Sequence, residues 1–137
     1  MKSLVIDDQI TARTLLRCIL ESYGVVDDVS TGQDGLRMFK NAVDQGEGYD
    51  LICIDLGLPD LSGMQVLTDV RDTEDSMGLR RGKGAATVLM ITGNSDPSRA
   101  TEAFDNQVDG YLEKPVSYEN LIEALAGTGL LPAPSGS

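Results

Sequence analysis

Short apolar runs alternate with amphipathic stretches along this chain. The first run is "SLVI" at residues 3–6. Ala12, Leu15, Leu16, Ile19, Leu20 and Tyr23 then recur at spacings of three and four, which predicts a helix over about 9–23 that stops at Gly24. "VVDDV" at 25–29 reads as a strand whose acids place it at a sheet edge. Thr31, with Asp34 three residues on, opens a helix to about Val43. "LICID" at 51–55, a helix from about Ser62 to Asp72, and "TVLMIT" at 87–92 follow. A helix opened by Ser95-Asp96-Pro97, the strand "GYLEK" at 110–114, and a Ser117-capped helix to about Gly127 complete five βα units. Such alternation requires crossover connections, so the pattern predicts an α/β fold, a mostly parallel five-stranded sheet with helices on both faces. "LICI" and "VLMI" lack polar alternation, as strands buried on both sides do.

Two segments depart from this plan. "TEDSMGLRRGKGAA" at 73–86 is a long connection carrying Arg80, Arg81 and Lys83, read as an extended helix plus a solvated loop. "LLPAPSGS" has no periodicity, which gives one domain over 1–127 and a tail over 128–137.

Composition narrows the function. A formal charge of -11 argues against nucleic acid and anionic membrane surfaces as partners, since both need excess Lys and Arg. No apolar run approaches the roughly 18 residues of a membrane span, and acid arrives too early after Met1 for a signal peptide, so a cytoplasmic protein is expected. Histidine is absent, which removes His-built zinc sites, Ser/His/Asp triads and phosphohistidine on this chain. Cys18 and Cys53 fall in apolar patterns and are expected as small buried hydrophobes, and Met64, Met77, Met90 and Phe104 as core.

The acids carry the chemistry. In an open parallel sheet, ligands bind outside the carboxyl ends of the strands. Asp7 and Asp8 follow the first strand, Asp55 ends the third, Thr92 the fourth and Lys114 the fifth, so all five should converge. Three carboxylates so placed repel by several kcal/mol and need counter-charge, which Lys114 and a divalent cation such as Mg²⁺ would supply. A carboxylate beside Mg²⁺, a lysine and a hydroxyl can attack a phosphoryl group to form an aspartyl phosphate.

In order and spacing, "VIDDQ", "ICIDLGLPDLSG", "MITG" and "YLEKPV" resemble the motifs of response-regulator receiver domains of the chemotaxis-regulator type. The resemblance covers roughly residues 2–126. It implies the doubly wound, flavodoxin-like receiver fold with strand order 2-1-3-4-5 and five helices. It also implies roles. Asp55 is the phosphoacceptor, Asp8, Asp55 and the carbonyl of Gly57 bind Mg²⁺ directly, and Asp7 acts on the metal mainly through a water. Lys114, preceding a cis Lys114-Pro115 bond, pairs with the acceptor and then the phosphoryl group. Thr92 and Tyr111 form the switch, read by partners on the face of the fourth helix, fifth strand and fifth helix. Gly57 and Asn94 bear on how long the phosphoryl group stays.

The resulting expectation is a stand-alone response regulator, a monomer or weak dimer. It accepts phosphate from a histidine kinase or histidine phosphotransfer protein and changes its affinity for a downstream target protein. Chemotaxis and phosphorelay roles stay open. It is not a turnover enzyme beyond Mg²⁺-dependent self-phosphorylation and autodephosphorylation. An Mg²⁺-dependent phosphohydrolase with an Asp nucleophile is the competing class, but it would carry Asp-x-Asp after the first strand and a cap segment. A flavodoxin-like FMN carrier would not place Asp7 and Asp8 at its phosphate site.

Overall fold

The computed structural model describes residues 1–80, 83–93 and 107–130. Its strands are β1 (Ser3–Ile6), β2 (Val26–Val29), β3 (Leu51–Asp55), β4 (Thr87–Thr92) and β5 (Gly110–Glu113). They form one parallel sheet in the order β2-β1-β3-β4-β5. The described helices are α1 (Ile10–Leu20), α2 (Gly32–Asp44), α3 (Gly63–Ser76) and α4 (Tyr118–Thr128). The helix expected from Ser95-Asp96-Pro97, with Asn94 and Phe104, lies outside the described residues. So does the tail from residue 131, while α4 runs one residue beyond the expected end of the domain.

The sheet is buried on both sides because its strands are apolar at successive positions. Leu4, Ile6, Ile52, Ile54, Val88 and Met90 face α2 and α3 around Phe39 and Val66. Val5, Cys53, Leu89 and Ile91 face α1 and α4 around Leu16, Leu121 and Leu125. Burial pushes the Cys53 thiol up to about 12, with the Asp7 charge a smaller contribution, so it stays protonated and inert. β2 is the edge strand that its acids predicted. Asp28 pairs with Arg13 and Arg17 of α1, and Asp27 accepts the Tyr49 hydroxyl at 2.7 Å.

Three helix starts follow the capping chemistry. Thr31 accepts from the Asp34 amide, and Ser62 and Ser117 form reciprocal capping boxes with Gln65 and Asn120. Three apolar assignments are corrected. Cys18 is exposed, because the buried stripe of α1 runs through Leu16, Ile19 and Leu20 and leaves it on the outer face. Met64, 36% exposed, lies one position off the inward stripe of α3, and Met77, 47% exposed, lies past its end.

One capping contact joins the site loop to α2. The Asp60 carboxylate, after β3, accepts from the amides of Gly32 and Gln33 at 2.8 and 2.9 Å. The bond from Gln33 above all, with those from Gly32 and its own loop, holds the Asp60 carboxyl below its usual range. A depressed pKa adds stability above the unfolded value, and that stability is lost as pH falls through the folded value. Asp60 is exposed and water screens much of this effect, so Asp60→Ala, which removes two accepted amide bonds, is expected to cost less than about 1 kcal/mol in urea titrations near neutral pH. The gap to wild type should persist down to about pH 4 and close below it.

Candidate functional site

At the carboxyl edge of the sheet the strand ends bring the predicted acids together. β1 runs into Asp7, which is fully buried, and then into exposed Asp8. β3 ends at Asp55, 5% exposed. One carboxylate oxygen from each of the three lies within 4.8 Å of the others. At an effective dielectric near 20, unit charges at that separation repel by roughly 3–4 kcal/mol per pair.

Lys114, just past β5, is the cation among them. Its Nζ is 3.3 Å from Asp55 Oδ2 and 3.3 Å from Asp7 Oδ2. The peptide bond to Pro115 is cis, as the resemblance implied. The lysine backbone is fixed too, because its amide donates to the Thr92 carbonyl at 2.8 Å. With Asp7 the ammonium straddles both oxygens, and its directed bond goes to Oδ1 at 3.4 Å. Asp7 Oδ2 is thus a fully buried oxygen with a charge beside it and no hydrogen-bond donor among the described residues. Three carboxylates and one lysine leave two negative charges over. An orphaned buried oxygen within an all-oxygen set suits a hard divalent cation of the Mg²⁺ class.

The loop after Asp55 is shaped by close contacts. Gly57 donates its amide to Asp55 Oδ1 at 3.1 Å. A Cβ at Gly57 would sit 3.9 Å from the same oxygen, in ordinary contact, so its lack of a side chain leaves the space beside the carboxylate open. Gly63 is different: a Cβ there would meet the Asp55 carbonyl oxygen at 2.7 Å. α3 starts against the strand end, which only glycine permits.

Thr92 is half-buried at the end of β4, opposite Glu113. Tyr111 lies outside the acid cluster on β5, in register with Met90 and 42% exposed. Gln9 was read in "VIDDQ" without a role. Its side-chain Oε1 accepts from Lys114 Nζ at 2.7 Å, the lysine's shortest contact. Its place directly after the acid pair was the available signal.

Fold and acid pocket define a class, the phosphoryl-accepting module of two-component signalling. Residues 4–126 match the family model of the response regulator receiver domain, and the chain belongs to that family. It is 29% identical over 129 residues to the hybrid signal transduction histidine kinase L of Dictyostelium discoideum, covering 93% of this chain and 7% of the kinase. The chain spans less than half the length of the curated relatives it matches. A response regulator receiver domain protein from Clostridium thermocellum superposes with a TM-score of 0.70 at 29% identity, over 93% of this chain and 92% of that one. A Saccharomyces cerevisiae co-crystal of the histidine phosphotransfer protein Ypd1 and the receiver domain of Ssk1 matches with a TM-score of 0.78. There the identity is 22%, covering 99% of this chain and 93% of that one. No described helix is long and apolar enough to cross a membrane.

Proposed function

We propose that this receiver takes a phosphoryl group on Asp55 and uses the change of charge to alter its affinity for a target protein in the cytoplasm. The observation that carries the reading is the pairing of a 5% exposed Asp55 with Lys114 at 3.3 Å beside Asp7 and Asp8. No histidine lies within these 137 residues, so the phosphohistidine donor lies outside them, on a histidine kinase or phosphotransfer protein. Exposed Leu15 of α1 lines an open cleft of about 450 Å³ together with Lys114 and Pro115, and a donor protein would rest there.

In the reaction an Asp55 carboxylate oxygen attacks phosphorus. The P–N bond of the phosphohistidine breaks, and the imidazole nitrogen keeps the electron pair. Lys114, already on Asp55 Oδ2, moves its N–H onto the arriving phosphoryl oxygen. The Gly57 amide holds the other carboxylate oxygen and aims the nucleophile. Asp7, Asp8, Asp55 and the Gly57 carbonyl would hold Mg²⁺, which supplies positive charge to the phosphoryl oxygens when bound. Later attack of water on phosphorus breaks the bond to Asp55 and returns the carboxylate and inorganic phosphate. Beyond this slow self-hydrolysis the protein is a signalling module and not a turnover enzyme.

The added charge of about -1.5 to -2 recruits nearby donors. Thr92, at the end of β4, and Tyr111, held outward on β5, are the residues that would relay it. Incubation with phosphoramidate and Mg²⁺ followed by intact-mass measurement tests the assignment. Wild type should gain one phosphoryl group and Asp55→Asn none; equal gain in both would sink it.

A further inference from the structure

We infer that Gln9 is a positioning residue that forms the third leg of a tripod aiming the Lys114 ammonium. This rests on the reading of Asp55 as acceptor. An ammonium has three N–H donors. Here they meet Gln9 Oε1 at 2.7 Å, Asp55 Oδ2 at 3.3 Å and Asp7 Oδ1 at 3.4 Å. The neutral amide makes the short, directed bond, and the two acids make longer ones that owe more to charge than to alignment.

Gln9 stands at the N-cap of α1 with extended backbone angles (φ -88°, ψ 116°), where Ser, Thr, Asp or Asn would cap the helix. Its side chain caps nothing, and the first turn of α1 has no acid to compensate. Instead its amide N–H donates to Asp7 Oδ1 at 2.9 Å, which fixes the residue on the acid cluster while its side chain reaches the lysine. Residues 9 and 114 meet from distant parts of the chain, so α1 and the end of β5 are held at a set distance across the site. Helix-capping stability is forgone at this position for a contact that only the lysine uses.

The contact pre-organises the reaction. When the phosphoryl group arrives, only the Asp55 leg must transfer to a phosphoryl oxygen; the Gln9 and Asp7 legs stay. Without Gln9 the ammonium keeps a free N–H, which water takes, and it must reorient at the moment of transfer.

Gln9→Ser separates the two roles, since serine offers α1 a cap and cannot reach Lys114. Its Tm should equal or exceed that of wild type, while phosphorylation of the full chain by phosphoramidate at saturating Mg²⁺ should slow about tenfold, the effect of one lost charged hydrogen bond. The Lys114 ¹⁵Nζ resonance, recorded without donor or metal, should shift or broaden in the variant. A rate within twofold of wild type, a rate loss matched by a fall in Tm, or an unmoved lysine resonance would each overturn the tripod. Failure of wild type to take up phosphate would sink the acceptor reading alone, because the lysine resonance still decides the tripod.

Discussion

Arg71→Ala should destabilise the fold by about 3–5 kcal/mol, the range for breaking one partner out of a buried ion pair. Arg71 and Glu74 lie near the end of α3 at 9% and 3% exposure. The guanidinium donates to Glu74 Oε1 at 2.7 Å, to the carbonyls of Ala86 and Gln107 at 2.9 Å each, and to Asp109 Oδ2 at 3.0 Å. The acids are tied in turn: Glu74 Oε2 accepts from the Ala86 amide at 2.7 Å and Asp109 Oδ2 from the Val88 amide at 2.8 Å. One side chain therefore binds α3 to the entry of β4 and to the residues that lead into β5, the strand ending beside Lys114. Its removal leaves a buried Glu74 carboxylate without its cation and two carbonyls without a donor. Urea unfolding of the single variant and of Arg71→Met/Glu74→Met checks this. The double variant should recover part of the loss, because paired apolar replacements of a buried ion pair are often near neutral. A single-variant loss below 1 kcal/mol would show that the network is solvated.

That network marks where the sequence stopped being legible. "LICID" and "TVLMIT" gave their strands to the residue because continuous apolar runs of that length suit a strand covered on both faces. Thr31, Ser62 and Ser117 marked helix starts because a cap is local chemistry, read within three residues. The acid cluster was legible because Asp7, Asp8 and Asp55 stand where apolar runs end. The strand order came from the family resemblance, since periodicity carries no information about which strands are neighbours. Arg71 falls in the helix expected over about 62–72 and Glu74 in the connection expected from 73, and neither stretch singles out a buried ion pair. Yet the inward stripe of Val66, Leu67 and Val70 continues at helical spacing onto both. Their partners, Ala86, Gln107 and Asp109, are 12 to 38 residues away. Lys114 and Gln9 are 105 apart, and the same distance in sequence hid that contact.

The second large effect is a change of sign. Asp8→Asn should stabilise the metal-free protein and destabilise it relative to wild type once Mg²⁺ is added. Asp8 is the exposed member of the acid cluster and has no hydrogen bond or ion pair to a described residue, so it repels Asp7 and Asp55 with nothing returned. Each repulsion is roughly 3–4 kcal/mol at an effective dielectric near 20, and water at an exposed carboxylate screens much of it. A gain of about 1–2 kcal/mol without metal is therefore expected after that discount. Loading wild type with Mg²⁺ at a hundred times its Kd should add about 2.7 kcal/mol, since a ligand that binds only the folded state stabilises by mass action. Asp8→Asn surrenders a ligand oxygen and most of that addition. Thermal melts of both proteins in EDTA and across an Mg²⁺ titration should cross, with the variant higher at the start and wild type higher at the end. Parallel curves would mean that the acids at this edge are arranged for something other than a cation. The conflict among the acids without metal follows from the same geometry that serves phosphoryl transfer. Carboxylates close enough to share one ion repel one another when it is gone, and Lys114, held by Gln9, offsets only part of that repulsion.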